Sequence, residues 1–141
     1  MYPEKNMYPW NEVRKGVTEV IIEEGITTIP DKAFYEFSLI TRIVIPTTVN
    51  EIGKSVFSGC RSLKTIIIKS NITSIGEYAF FLYVLEEVHY YVIQKPTCFR
   101  AFDYDYYTGV TVKKEYEGSS FCEKSVRTKK EIMCSELTIE E

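Results

Sequence analysis

The sequence has little of what most enzyme and metal sites are built from. It contains a single histidine, His89, and its four cysteines, Cys60, Cys98, Cys122 and Cys134, form no closely spaced pair. A zinc site needs about four Cys, His or carboxylate ligands, usually with two of them a few residues apart. Glycine-rich phosphate loops, zinc-protease motifs, serine-hydrolase elbows and acidic calcium loops are also missing from the sequence. We therefore expect no catalytic residue, no metal and no cofactor, and we expect all four cysteines to be reduced.

The sequence also lacks a large excess of one charge and has no long apolar run. The chain has 17 basic and 20 acidic residues, a net charge of -3, which provides no field to attract nucleic acid or an anionic membrane. The longest apolar run, Ala79–Leu85, is far shorter than the ~20 residues that span a bilayer. The first thirty residues contain no run long enough for the core of a signal peptide. We expect neither nucleic-acid binding nor membrane insertion, and no export signal within this chain.

What the sequence does have is a repeat. The segment that begins at Val17 recurs at Ile40 and Leu63 with an offset of 23 residues, and a weaker copy begins at Leu85 after 22. Self-similarity at such a period is the signature of a solenoid. The apolar columns stay in register through the copies: Val20, Ile43, Ile66 and Val88; Ile22, Ile45, Ile68 and Tyr90; Ile26, Val49 and Ile72; Ile29, Ile52 and Ile75; and Ala33, Val56, Ala79 and Ala101, each followed by phenylalanine.

Each copy divides into a strand and a set of turns. After the strand come a turn, a bend at Pro30, Gly53 or Gly76, and an Ala-Phe segment with helical or 3₁₀ spacing. A single copy cannot bury its apolar face alone, so the copies must stack and their strands must form a parallel sheet. The β-branched stretches for which we predict strands are Glu19–Glu23, Arg42–Ile45 and Thr65–Lys69.

The whole pattern resembles the BspA-like class of leucine-rich repeats. In that class each copy ends in Gly-x-x-Ala-Phe, as at Gly76–Phe80 and, with Val for Ala, at Gly53–Phe57; Pro30 stands where the class usually has Gly. The resemblance covers about residues 17 to 102. It implies an α/β repeat solenoid, a leucine-rich-repeat right-handed superhelix with a parallel sheet on one wall and short 3₁₀ or α turns on the other. It also implies a microbial interaction protein that is secreted or held at the cell surface.

The resemblance and the composition together predict four regions. These are an N-terminal cap over 1–16, four repeats over 17–109 with a degenerate fourth, a C-terminal cap over 110–126 and a polar tail over 127–141. The tail is either loosely ordered or a single amphipathic helix. The aromatic stretch Phe102–Gly109 serves either the cap or recognition. We expect Tyr8, Trp10 and Val13 to close the front, and Tyr104, Tyr106, Tyr107, Val110, Val112 and Phe121 to close the back.

Strand alternation leaves one row of residues facing solvent on the sheet wall. Ile21, Val44 and Ile67 occupy this row, which His89 and Thr111 continue. An apolar row where a monomer should be polar usually marks an interface. We expect this wall to bind a protein partner or a second copy of the chain, for example in a twofold dimer. The predicted binding surface comprises Ile21, Val44, Ile67, His89, Arg42, Lys69 and Tyr91.

The same row has a second interpretation. β-Branched residues also favour strands by up to ~1 kcal/mol each, and the module would then be purely structural, without a separate ligand. His89 needs an acidic or nucleophilic neighbour to act as a general base, and we expect Glu87 and Tyr91 to share its strand face poorly. Asn71 begins an Asn-Ile-Thr glycosylation sequon. It also occupies the ladder position at which an amide would bond to turn backbone.

Overall fold

The structure, a computed structural model, describes residues 8–82, 85–92, 94–98, 100–102, 109–113, 120–122 and 124–130; from residue 109 onward the only side chains it describes are those of Thr111 and Cys122. The described residues form a repeat solenoid with parallel strands in two sheets. The strands are β1 (Thr28–Ile29), β2 (Arg42–Ile45), β3 (Glu51–Ile52), β4 (Thr65–Ile68), β5 (Ser74–Ile75), β6 (Glu87–Tyr90), β7 (Thr97–Cys98), β8 (Gly109–Lys113), β9 (Ser120–Phe121) and β10 (Lys124–Lys130).

The larger sheet follows the repeat directly. Its order is β2-β4-β6-β8-β10-β9, and its first five strands are parallel. Corresponding residues of successive repeats are neighbours, so that Ile43 pairs with Ile66 and Ile66 with Val88. All three side chains are fully buried, because every second residue of a strand faces the same side of its sheet. The predicted parallel sheet and its core columns are confirmed from β2 onward. In the first repeat the column prediction is wrong at three positions, because Val20 and Ile22 are only half-buried and Ile26 is 45% exposed.

A second parallel sheet, which we did not predict from the sequence, also joins the repeats. Its order is β1-β3-β5-β7, and each of its strands has two residues. Ile29, Ile52 and Ile75 pair in register and are buried. The N–H groups of Gly53 and Gly76 extend this ladder with 2.8 Å hydrogen bonds to the carbonyls of Ile29 and Ile52. The bend after each strand is therefore fixed by its own hydrogen bonds to the neighbouring repeat.

The Ala-Phe segments, for which we predicted 3₁₀ or α turns, are hydrogen-bonded turns, and no helix is assigned anywhere in the described part of the chain. Short-range bonds such as Ala33 N–H to the Pro30 carbonyl (3.2 Å) close the turns. Other N–H groups reach the next repeat, as Phe34 N–H does with the Val56 carbonyl at 3.1 Å. Because those donors are used between repeats, they cannot close successive helical turns.

The phenylalanines of the repeats stack in one column, as predicted. Phe34 and Phe57 have centroids 5.7 Å apart, Phe57 and Phe80 6.0 Å, with ring planes within 11° in both pairs. Phe102 continues the column at 5.2 Å. Phe57 and Phe80 are fully buried, but Phe34 is only half-buried. The difference arises because Phe34 has Trp10, at 6.5 Å, in place of a preceding repeat.

The first predicted strand, Glu19–Glu23, is wrong: these residues are assigned to no strand, and the larger sheet begins at β2. Pro46 explains part of the difference. One repeat later, Lys69 N–H donates a 3.0 Å hydrogen bond to the Ile45 carbonyl of the preceding repeat. Pro46 holds the same position 23 residues earlier and has no N–H. It therefore cannot donate the equivalent hydrogen bond to Ile22.

The sheet continues beyond the repeats through β8 and β10. β10 runs parallel to β8 and pairs with the short antiparallel β9 only at Lys124 and Ser125. Because β10 spans Lys124–Lys130, it crosses the boundary at residue 126 that we expected between C-terminal cap and tail. Val126 and Thr128 are β-branched residues that favour a strand here. The remaining tail, 131–141, lies outside the described residues.

A disulfide joins Cys98 to Cys122. The prediction that all four cysteines are reduced is therefore wrong for this pair, which only the fold brings together across 24 residues of sequence. Cys60 is a buried free thiol in the repeat column of the buried Phe37, as predicted. Burial raises the pKa of the Cys60 thiol to about 12. Cys134 lies outside the described residues.

The back of the solenoid is described only in part. Of the residues that we expected to close it, Tyr104, Tyr106 and Tyr107 lie outside the described residues, as does most of Phe102–Gly109. The backbones of the other candidates belong to β8 and β9. Their predicted role as a lid stays a prediction.

Candidate functional site

One row of aligned residues runs across the outward face of the larger sheet. Val44 pairs with Ile67, Ile67 with His89, and His89 with Thr111. The residues before and after Val44 and His89 in their strands are buried, so alternation turns the row away from the core. We call Val44, Ile67, His89 and Thr111 the strand-wall row.

The strand-wall row is only partly accessible. Val44, His89 and Thr111 are half-buried, but Ile67 is buried, with 6% of its surface exposed. The expectation that Ile67 faces solvent is therefore wrong. Strands in a sheet are ~4.8 Å apart, so Val44 and His89 shield Ile67 from both sides. The row therefore presents a shallow surface with few protruding side chains.

Ile21 lies outside the strand-wall row. Its segment forms no strand, so no ladder places its side chain in register with Val44. It has 75% of its surface exposed. The predicted row is therefore shortened at its first member, and Ile21 contributes to a different surface at the front of the solenoid.

His89 has the two neighbours that we expected it to lack. Its Nε2 lies 2.9 Å from a carboxylate oxygen of Glu87, and its ring centroid lies 6.0 Å from that of Tyr91. Our expectation of a poorly shared face is wrong because residues two apart in a strand lie on the same face. Nδ1 of His89 is buried without a hydrogen-bond partner in the described part of the chain. An acid and an imidazole by themselves supply no nucleophile, so this pair alone supports no covalent catalysis.

Charged and aromatic side chains border the strand-wall row. Arg42 is exposed at the start of β2, in register with Thr65 and Glu87. Lys69 and Tyr91 directly follow β4 and β6 and are half-buried. The row thus has Arg42 near one edge and Lys69 and Tyr91 near the other. A partly apolar centre with a polar rim is the usual anatomy of a protein interface.

The front of the solenoid carries a feature that we missed in the sequence, an open apolar groove of about 500 Å³. We expected the N-terminal cap to close this end. The sequence could have predicted this groove, since the apolar columns of the first repeat have no earlier copy to cover them. The lining of this front groove includes Trp10, Val17, Val20, Ile21, Ile22 and Ile26. The exposed large hydrophobic residues of the described chain are Trp10, Val13, Ile21, Ile26 and Leu39.

The cap covers the turn wall of the first repeat. The indole of Trp10 donates a 2.7 Å hydrogen bond to the Ala33 carbonyl, and the Tyr8 hydroxyl donates one of 2.7 Å to the Asp31 carbonyl. The two rings stack with centroids 5.0 Å apart. Burial, and to a smaller extent the charge of Asp31, raise the pKa of Tyr8. Val13, the third expected cap residue, is 58% exposed.

We expected the amide of Asn71 to bond to backbone groups of the turn that follows its strand, and the structure shows a different arrangement. Asn71 is exposed, and its amide nitrogen donates to the side-chain oxygen of Gln94. Backbone groups of a turn are instead satisfied by Thr48, whose hydroxyl accepts from Gly25 N–H at 2.9 Å and donates to the Ile26 carbonyl at 2.7 Å. Threonine thus joins the first two repeats where we considered only asparagine.

The described residues contain neither a cluster of metal ligands nor a membrane-spanning helix. They contain no group of three or more His, Cys, Asp or Glu side chains placed to hold a metal ion. No helix in the same part of the chain has the length and apolarity needed to cross a bilayer.

Comparison with protein families identifies the repeat. The family model described as the BspA type leucine rich repeat region matches residues 12–106, in six copies. The match covers well over half of the 141 residues. Comparisons with curated proteins and with solved structures gave no match.

Proposed function

Because the chain belongs to the BspA-type leucine-rich repeat family, we propose that it is a non-catalytic protein-binding module that uses its strand wall as the recognition surface. Domains of this family generally mediate protein interactions. The observation that carries the proposal is the in-register alignment of Val44, Ile67 and His89 on the outward face of the larger sheet.

The chemistry of the row and its rim indicates what kind of partner fits. An apolar side chain of the partner would pack against the half-buried Val44, where it would remove water from aliphatic surface. Arg42 and Glu87 at one edge of the row and Lys69 at the other give a rim of both charges, which favours a partner with polar and charged groups beside that apolar residue. Tyr91 adds a ring of the type that is enriched in binding hot spots.

A second copy of the chain is the alternative partner for this wall. Two copies related by a twofold axis could bury the half-buried Val44 of each fully against the strand wall of the other. In that case the protein is a self-associating or purely structural repeat module without a separate ligand.

The disulfide bears on where such a module acts. Disulfides form and persist in oxidising environments such as the cell surface and the extracellular space. The bond between Cys98 and Cys122 therefore supports the surface or secreted placement that the family resemblance implies. We include this placement in the proposal.

The test is a single substitution with a matched control. Val44→Glu places a charge in the centre of the strand-wall row. Asn50→Glu adds the same charge at an exposed residue before β3, away from the wall. Both variants should fold, which circular dichroism and thermal unfolding would check. Proteins that co-purify with the immobilised wild-type chain should be lost with Val44→Glu and retained with Asn50→Glu, as quantified by mass spectrometry.

Light scattering on the same three proteins separates a partner from a second copy. If wild type and Asn50→Glu are dimers and Val44→Glu is a monomer, the twofold form of the proposal is correct. If Val44→Glu captures every partner that the wild type captures and shows the same mass, the strand wall is not the recognition surface.

A further inference from the structure

The two ends of the larger sheet differ in what they leave uncovered. At the front, residues 17–23 hold the repeat position before β2 but belong to no strand. At the back, β9 pairs with β10 only at Lys124 and Ser125. Beyond those residues, Val126–Lys130 has β8 on one side and no described strand on the other. Each end therefore has a backbone segment with at least one side that pairs with no strand in the described part of the chain.

The cap protects only one side of the front. Its two hydrogen-bonding side chains, Tyr8 and Trp10, reach the turn wall at Asp31 and Ala33. On the strand side, Ile21 is 75% exposed. The front groove opens there, between the cap and the segment 17–23. Apolar surface of this kind is usually covered in a stable assembly.

Two segments, residues 17–23 at the front and β10 at the back, carry opposite charge. Two acidic residues, Glu19 and Glu23, line the front groove, and neither residues 17–23 nor the groove lining contains a basic residue. β10 has the sequence Lys-Ser-Val-Arg-Thr-Lys-Lys, with four basic residues and no acidic one. A strand of this chain is thus the electrostatic complement of its own front, on a different part of the molecule.

The direction and length of β10 also match those of residues 17–23. β2, β4, β6, β8 and β10 all run parallel, so a second copy that continues the stack brings its β10 alongside residues 17–23 in the same parallel sense. Both segments have seven residues. An interface between two different surfaces repeats head to tail and does not close on itself unless the rotation forms a ring.

We propose that copies of this chain associate head to tail, with residues 17–23 and the front groove of one copy receiving β10 of the next. The partner is a second copy because this chain itself supplies the basic strand, its length and its direction. The interface uses the ends of the solenoid and leaves Val44 and the rest of the strand wall uncovered. It therefore goes beyond the proposed function and can fail or succeed independently of it.

The test blocks each end separately. Ile21→Asp adds a buried charge at the front of the interface, and the 75% exposure of Ile21 makes the change compatible with folding. Lys129→Glu/Lys130→Glu reverses charge at the back. In sedimentation velocity, the wild-type mass should rise with concentration beyond that of two chains, and should fall as ionic strength rises from about 0.01 to 1 M, since salt screens the contact. Each blocked variant alone should be monomeric.

Mixing the two blocked variants gives the decisive measurement. Each mixed pair has one intact front and one intact back, so the mixture should form dimers of one copy of each variant and nothing larger. Hydrogen exchange at Val126–Lys130 should slow in the wild type as concentration rises, which checks β10 without any substitution. Asn50→Glu should associate like the wild type.

Three results would overturn the head-to-tail interface. They are a wild type that stays monomeric at every concentration, a mixture that fails to form dimers, and association that Val44→Glu abolishes while Ile21→Asp does not. The last result assigns self-association to the strand wall and leaves the proposed function intact. Loss of partner capture with Val44→Glu, together with unchanged head-to-tail association, supports both surfaces separately.

Discussion

The indole Nε1–H of Trp10 donates a hydrogen bond to the carbonyl of Ala33 at the place where, one repeat later, the backbone N–H of Phe34 donates to the carbonyl of Val56. A side chain of the cap thus replaces a backbone donor of the repeat that is missing at the front. Tyr8 does the same at the Asp31 carbonyl, whose counterpart, the Lys54 carbonyl, accepts from Lys32 N–H. The cap therefore reproduces the hydrogen-bonding pattern of a repeat on the turn wall.

This relationship predicts the effect of Trp10→Phe. The phenyl ring keeps an aromatic contact with Phe34 but cannot donate to the Ala33 carbonyl, so the free energy of unfolding should fall by about 1 kcal/mol. Trp10→Ala should cost more, because it also removes the ring contact. Urea unfolding measures both values. Val13→Ala is the control, since Val13 is 58% exposed; an equal loss there would show that the hydrogen bond contributes nothing specific.

The aromatic column predicts a gradient along the solenoid. Phe57→Ala should lower the free energy of unfolding by about 3–5 kcal/mol, because Phe57 is fully buried between Phe34 and Phe80. Phe34→Ala should cost less, since Phe34 is half-buried and has a neighbouring repeat on one side only. Chemical unfolding compares the two variants. Equal losses would contradict the dependence of stability on neighbouring repeats.

The close approach of repeats at the second bend predicts the effect of Gly76→Ala. A Cβ at Gly76 would lie 2.6 Å from the carbonyl carbon of Gly53, so the repeats must separate locally. The expected cost is about 1–3 kcal/mol. Gly16→Ala is the matched control because its nearest atom would be 3.7 Å away, and its effect should stay within about 0.5 kcal/mol. Melting temperatures that fall equally for both variants would contradict this account of Gly76.

The buried thiol predicts a dependence of stability on alkaline pH. Folding raises the pKa of Cys60 from 9.0 to about 12, so the folded state keeps a proton that the unfolded state loses. The contribution of the protonated Cys60 thiol to the free energy of unfolding is fully present below pH 9 and is lost as pH rises toward 12. The free energy of unfolding should fall over this range by up to about 1.4 kcal/mol per pH unit. Urea unfolding at several pH values measures the slope. Cys60→Ala should have a smaller slope over this range, and an identical slope would exclude Cys60 as its source.

Much of the fold could be predicted because the same apolar pattern recurs in each copy of the repeat. The columns of Ile43 and Ile66 define both the strands and the face they bury, and Phe57 and Phe80 define the opposite wall. The outward position of Val44 and Ile67 followed from alternation alone. The same alternation places His89 and Glu87 on one face of their strand, so their contact was also predictable, although we expected the opposite.

The sequence by itself determined the period, the aromatic column and, from β2 onward, the core columns and the face on which Val44 and His89 lie, because each depends on spacing along one chain. Only the tertiary structure decided where the sheet begins, how the second sheet forms, which cysteines pair and that the front groove stays open. Those features depend on contacts between repeats, or on a contact that is missing at an end. Residues 17–23 have the composition of a strand, but a strand needs a partner that can donate and accept hydrogen bonds, and the neighbouring repeat offers Pro46 at one of those positions.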